Sequence, residues 1–179
     1  MVAAQQGHPS GVPARGPAVS RVRAVRAQGH PAPVAPRAAV PPDHGGVYRS
    51  DDEGGSWTYI ADGLPADFGF TIVVHPHEPD TIFVFPIGGG DGRYPPGGKA
   101  RVWRSRDAGD TWTELGKGLP DSFYVAVMRD AMSMDGHDSP GIYFGARNGT
   151  VWGSTDEGES WAQVVADLPD VMVVRAAAV

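Results

Sequence analysis

The sequence predicts an all-β fold in which four-stranded antiparallel sheets stack as the blades of an incomplete β-propeller, about two and a half blades. Three observations predict it. The pattern S-x-D-x-G-x-[ST]-W occurs three times, as Ser50–Trp57, Ser105–Trp112 and Ser154–Trp161. Its opening serines stand 55 and 49 residues apart, a period that suits one supersecondary unit unable to cover its own apolar face. Short apolar runs alternate with turn clusters, and 25 Gly with 17 Pro in 179 residues favour short strands over long helices.

The elements follow in order. The first box should be flanked by two strands. Phe70–His75 is an apolar, β-branched run ended by Pro76, and Thr81–Phe85 is a second run before Pro86. Ala100–Arg104 leads into the second box and Thr111–Leu115 leads out, which completes one four-stranded unit. The next unit repeats it with Phe123–Met128, Gly141–Phe144, Thr150–Gly153 and Ser160–Val165. Val171–Arg175 would open a further unit. The first strand of each unit is nearly all apolar, so both of its faces need cover, as in a sheet held between neighbouring sheets.

Each box reads as a hairpin corner. Gly54, Gly109 and Gly158 can take the positive φ of a tight turn. Ser50, Ser105 and Ser154, with Asp52, Asp107 and Asp156, can bond local backbone N–H groups. Trp57, Trp112 and Trp161 start the exit strands and bring large apolar bodies to the packing between units. The same chemistry at the same place in three units is architecture rather than catalysis.

Residues 1–43 are expected to be unstructured, and residues 44–179 to form the propeller segment. Residues 1–42 contain no Leu, Ile, Phe, Tyr or Trp, eight prolines and five Arg without an acid. Their Ala/Arg/Pro/Gly mixture is also what a GC-rich gene yields in the wrong frame, which suggests upstream repeats lost by a frameshift, a wrong start site or truncation. Translating the other two upstream frames tests this. The remainder carries a charge of −11 against +5 for the first part, a poor surface for a nucleic-acid backbone. No apolar run has the length of a membrane span, and Met1–Ser10 shows no secretory signal, so the compartment is open, cytoplasmic by default. There is no Cys and hence no disulfide framework.

The three boxes, with an aromatic residue two places upstream (Tyr48, Trp103, Trp152) and a Leu-Pro pair downstream (Leu64-Pro65, Leu119-Pro120, Leu168-Pro169), resemble the BNR or Asp-box repeat of sialidases and other β-propellers. His75-Pro76-His77-Glu78-Pro79-Asp80-Thr81-Ile82, following a strand, is similar to bacterial glycosyl-hydrolase-like, sortilin-type and photosystem-assembly propellers. The resemblance covers residues 44–179. It implies that each box joins the third and fourth strands of a blade at the periphery. It also implies a search for the sialidase catalytic set: three arginines, a Tyr–Glu nucleophile and an Asp acid/base. The Arg-Ile-Pro motif is absent from the sequence, and no Tyr–Glu pair can be assigned.

By matching the ends of the first strands, His75, Arg129 and Arg175, with Asp130 beside Arg129, would converge at one channel mouth. They read either as a salt-bridged plug or as a site for a carboxylate or phosphate. His75-Pro76-His77 with Glu78 and Asp80 reads as an ordinary turn rather than a metal site. The Gly-rich stretch Gly88–Lys99 fails the phosphate-loop pattern, because Ala100 follows Lys99, and reads as a long loop over one face. Met128, Met132 and Met134 read as packing or loop residues. No cofactor or metal is implied. The expected partner is a glycan, another anionic small molecule or a protein. A binding or scaffold module, as a fragment of a longer protein, is the leading reading. A glycoside hydrolase with part of its catalytic set elsewhere is the second, and a non-functional truncated product the third.

Overall fold

In the computed structural model, residues 37–39, 45–89 and 92–178 are described. Among the described residues, eleven strands form three sheets, and in each the strands pair antiparallel in chain order. The first sheet contains β1 (Arg37–Ala39), β2 (Tyr48–Ser50) and β3 (Thr58–Tyr59). The second contains β4 (Gly69–Val74), β5 (Ile82–Pro86), β6 (Val102–Ser105) and β7 (Thr113–Leu115). The third contains β8 (Met132–Met134), β9 (Ile142–Gly145), β10 (Val151–Ser154) and β11 (Ala162–Val165). Two four-stranded meanders and a three-stranded one, packed face to face, are blades of a partial β-propeller.

The alternation of β5 shows why the blades stack. All five of its residues are buried. Ile82 and Val84 point to one side, into a cluster with Val47, Ile60 and Ala61 of the first blade. Phe83 and Phe85 point to the other, into a cluster with Phe123, Phe144 and Trp161. The Phe85 and Phe144 rings lie 5.0 Å apart and the Phe144 and Trp161 rings 5.3 Å apart. A strand apolar on both faces can be satisfied only between two sheets. It is the second strand that meets this condition most fully. In the first, β4, Ile72 and Val74 are only partly buried.

The repeated turns lock neighbouring blades together. The residue after each box Asp takes a left-handed conformation (Glu53 φ 59°, Ala108 φ 58°, Glu157 φ 55°), and the Gly after it does too. Arg49, just before the first box, donates to the Ala108 carbonyl of the second at 2.8 Å. Arg104, just before the second, donates to the Glu157 carbonyl of the third at 3.0 Å. A Cβ on Gly109 would lie 2.6 Å from the Cβ of Ile60, and one on Gly158 would lie 2.7 Å from Cδ1 of Leu115. The corner of each later blade is thus pressed onto the fourth-strand side of the blade before it, where only glycine fits.

Three expectations need correction. Arg37–Ala39 lies within the stretch expected to be unstructured, yet pairs with β2 in the register Arg37 to Ser50; the rest of residues 1–43 lies outside the described residues. Phe123–Met128 is not a strand. Its backbone is satisfied by other partners: Phe123 N–H donates to the Gly98 carbonyl, and the Ala126 carbonyl accepts from Arg147 N–H. The Val127 and Met128 carbonyls both accept from the Thr71 hydroxyl. The third blade's first strand is Met132–Met134, reached after a turn closed by Ala131 N–H on the Met128 carbonyl. Val171–Arg175 is extended but makes a single parallel bridge, Val173 to Asp130, with Val174 N–H donating to the Asp130 carbonyl at 2.9 Å.

Candidate functional site

The three corners are built alike, atom for atom. In each, the opening serine hydroxyl donates to the Asp and accepts the box Gly N–H: Ser50 to Asp52 at 2.9 Å, Ser105 to Asp107 and Ser154 to Asp156 both at 2.7 Å. The Asp then accepts both the N–H and the hydroxyl of Ser56, Thr111 or Ser160. These bonds hold the carboxylates ionised. The Ser56 hydroxyl, followed by its N–H and the Ser50 hydroxyl, lowers the Asp52 pKa to about 2. Asp107 is held low by Thr111 and then Ser105. Partial burial pushes Asp156 up, but hydrogen bonds from Ser160 and Ser154 outweigh it. Each box carboxylate thus accepts three hydrogen bonds from its own turn, two on Oδ1 and one on Oδ2.

The Trp residues differ in partner. Trp112 donates its indole N–H to the Ile60 carbonyl of the preceding blade at 2.9 Å. Trp161 is buried, and its indole nitrogen has no hydrogen-bond partner among the described residues. Trp57 is half-buried.

Of the residues expected at the channel mouth, His75 spends its hydrogen bonds within its own hairpin. His75 N–H closes the first hairpin of its blade on the Thr81 carbonyl, and the residue doing the same in the third blade is Asp135, on the Gly141 carbonyl. The correspondence extends to the side chains. His75 Nδ1 accepts the N–H groups of His77 and Glu78. Asp135 Oδ1 accepts those of His137 and Gly141. Arg129 lies within the turn that Ala131 N–H closes on the Met128 carbonyl, ahead of β8. Arg175 and Asp130 do meet: the guanidinium is 3.4 Å from the carboxylate and donates to the Asp130 carbonyl at 3.0 Å.

A different constellation occupies the loop edge between the second and third blades. A cleft of about 380 Å³ is lined by Tyr94, Tyr124, Met128, Arg147 and Asp170, with Arg93 at its side. Tyr94 comes from the long loop between β5 and β6. That loop folds back on itself through Gly88 N–H to the Tyr94 carbonyl, then makes a single 3-10 turn at Pro96–Gly98. Tyr124 comes from the non-strand stretch entering the third blade. The rings meet edge to face, 5.3 Å apart. Tyr124 remains 65% exposed and Tyr94 39% exposed, an unusual state for two aromatic rings in contact. Glycines make room for them: a Cβ on Gly98 would sit 2.3 Å from the Tyr124 ring, and one on Gly92 2.4 Å from the Tyr94 ring. Exposed among the lining residues, Arg147 grips the Asp170 carboxylate through Nε at 2.9 Å and Nη2 at 2.8 Å.

Sequence reasoning missed this pair. Tyr94 and Tyr124 stand 30 residues apart, one in a glycine-rich loop and one in a supposed buried strand. The available signal was Arg93-Tyr94-Pro95-Pro96 within the glycines, an aromatic residue where a bare linker needs none.

Neither a protein-family model nor a curated protein sequence matches the chain. Among solved structures it is similar to the GH74 xyloglucanase from Xanthomonas campestris, with 29% identity and a TM-score of 0.57 over 75% of this chain and 20% of that one. It is also similar to an ancestral GH74 enzyme, with 18% identity and a TM-score of 0.52 over 74% of this chain and 17% of that one. The fold is that of β-propeller blades. The chain spans about a fifth of the length of these enzymes.

Proposed function

We propose that the chain is the glycan-binding part of a BNR/Asp-box propeller related to glycoside hydrolases, and that the Tyr94–Tyr124 cleft holds a neutral β-glucan. One observation carries this reading: two ring-contacting tyrosines stay exposed beside an exposed Arg147–Asp170 ion pair. Apolar C–H faces of a pyranose stack on such rings, while its hydroxyls take hydrogen bonds from groups at the rim. The 29% identity to an enzyme named for xyloglucan supports the ligand class. An anionic ligand is less well served, since Arg147 is already neutralised by Asp170. Hydrolysis by the usual route needs two carboxyl groups across the scissile bond. Asp170 is the one carboxylate among the described residues lining the cleft, and it is engaged by Arg147, so binding is the role argued.

Titration calorimetry with xyloglucan oligosaccharides and with sialyllactose tests the reading. Saturable binding of the neutral glycan is expected, weakened about tenfold or more in Tyr124→Ala. The exposed site of that substitution should leave circular dichroism unchanged. Preference for the sialoside, or indifference to Tyr124→Ala, would overturn it.

A further inference from the structure

The geometry points to a preference of the Tyr94–Tyr124 cleft for a bent glucan, in which neighbouring glucose units are joined by a β-1,3 linkage, over a straight or a branched β-1,4 chain. This rests on the reading of the cleft as a site for a neutral β-glucan and names the linkage it takes. The angle between the tyrosines carries it. Their ring planes are inclined at 63°, with centroids 5.3 Å apart.

That separation is close to the length of one pyranose residue along a glucan, so neighbouring residues of one chain can meet the two rings. The angle then decides which chain fits. A pyranose stacks with its C–H face flat on an aromatic ring. In a straight β-1,4 chain each residue is turned half a revolution from the last, and neighbouring ring planes stay nearly parallel. Such a ribbon lies flat on one tyrosine and meets the other at a slant. A β-1,3 linkage turns each residue by a smaller step, so the chain curves and neighbouring ring planes are inclined. Two of its residues can lie on both tyrosines together.

The inclination is built into the backbone on both sides of the cleft. Tyr124 rides on the stretch that makes no ladder. The hydroxyl of the fully buried Thr71 holds that stretch, donating to the Met128 carbonyl at 2.9 Å and to the Val127 carbonyl at 3.3 Å. Arg147 N–H donates to the Ala126 carbonyl at 3.1 Å. Phe123 N–H donates to the Gly98 carbonyl, which ties Tyr124 to the loop that carries Tyr94. That loop is closed by Gly88 N–H on the Tyr94 carbonyl at 2.8 Å and by Tyr94 N–H on the Gly92 carbonyl at 2.9 Å. Each ring rests against a glycine, Tyr124 on Gly98 and Tyr94 on Gly92, with no space for a Cβ. Platforms held at a set inclination need little ordering when a ligand arrives.

A branch residue can also present an inclined ring. It hangs from a hydroxymethyl arm, with one rotatable bond more than a direct ring-to-ring linkage, and loses more freedom on binding. The direct bend is the better match to two fixed platforms. Beside them, both guanidinium bonds of Arg147 fall on Oδ2 of Asp170, so Oδ1 can accept a sugar hydroxyl.

Titration calorimetry of the full chain with laminaritetraose, cellotetraose and a xyloglucan heptasaccharide tests this. Laminaritetraose is expected to bind about tenfold tighter than either of the others. Tyr94→Ala should remove the preference and leave the affinity for cellotetraose unchanged, because the straight chain lies on the more exposed Tyr124. Tyr94→Phe, which retains the ring, should retain the preference. Equal affinities, or a tighter fit of cellotetraose or the heptasaccharide, would overturn the bend and leave the neutral-glucan reading standing. Failure of all three to bind would overturn both. A Tyr94→Ala variant that weakens all three ligands alike would also overturn the inference, since the ring would then play no part in choosing the linkage.

Discussion

At the scale of single residues, acid should act on this fold in two stages. His75 is buried with Nδ1 accepting two backbone N–H groups, so its neutral form is the one the turn needs. Burial pushes its pKa down, against a smaller opposite pull from Glu78 and Glu157. A histidine with a depressed folded pKa binds its proton more readily when unfolded, so stability falls as pH drops below about 6.5. Asp135 performs the same turn closure with an oxygen, which makes His75→Asn a fair replacement. That variant should fold and lose the pH slope on the weakly acid side, as read from urea midpoints against pH. The corner aspartates work later. Their folded pKa values lie below the unfolded one, so their contribution is complete above about pH 4 and is lost as pH falls further. For Asp52 the loss extends down to a pKa of about 2. A parent protein whose urea midpoint stays flat from pH 7 to pH 5 would contradict the role given to His75.

At the scale of elements, the junction between blades can be probed by one pair of glycines. Gly63 and Gly118 occupy equivalent places and have φ of 93° and 90°. Alanine at either incurs the left-handed strain of about 1–2 kcal/mol. At Gly118 it also meets the Trp161 carbonyl at 2.2 Å, while at Gly63 its nearest neighbour is Trp112 at 3.8 Å. Gly118→Ala should therefore cost about 2 kcal/mol more than Gly63→Ala in denaturant unfolding. Equal losses would mean that the blades slide rather than interlock. The corners and their flanking strands were legible in the sequence because Ser, Asp, Gly and Trp each had a local task at a fixed offset. Phe123–Met128 was misread for a physical reason: apolar content reports burial, and this stretch is buried at Phe123, Ala126 and Val127, but its carbonyls pair with the Thr71 hydroxyl and with Arg147 instead of a ladder. β1 was illegible, since Arg37-Ala38-Ala39 contains no β-branched or aromatic residue and owes its state to pairing with β2. The tyrosine cleft was illegible because it depends on where a loop of one blade and the entry of the next come together.

At the scale of the whole molecule, stacked repeats touch only their neighbours, so stability should vary along the chain and not be shared evenly. The second and third blades share the larger apolar cluster, with Phe83, Phe85, Phe144 and Trp161 at its centre. The first blade contributes Val47, Ile60 and Ala61 to a smaller one and has three strands among the described residues, with its outer corner exposed. Its opening exposes less apolar area and breaks fewer ladder bonds, so it should open first. Hydrogen exchange followed by mass spectrometry should show peptides over Thr58–Ile60 exchanging well before those over Phe83–Phe85 or Ile142–Gly145. Protection of the first blade equal to that of the second would mean that the smaller cluster holds its blade as firmly as the larger one does.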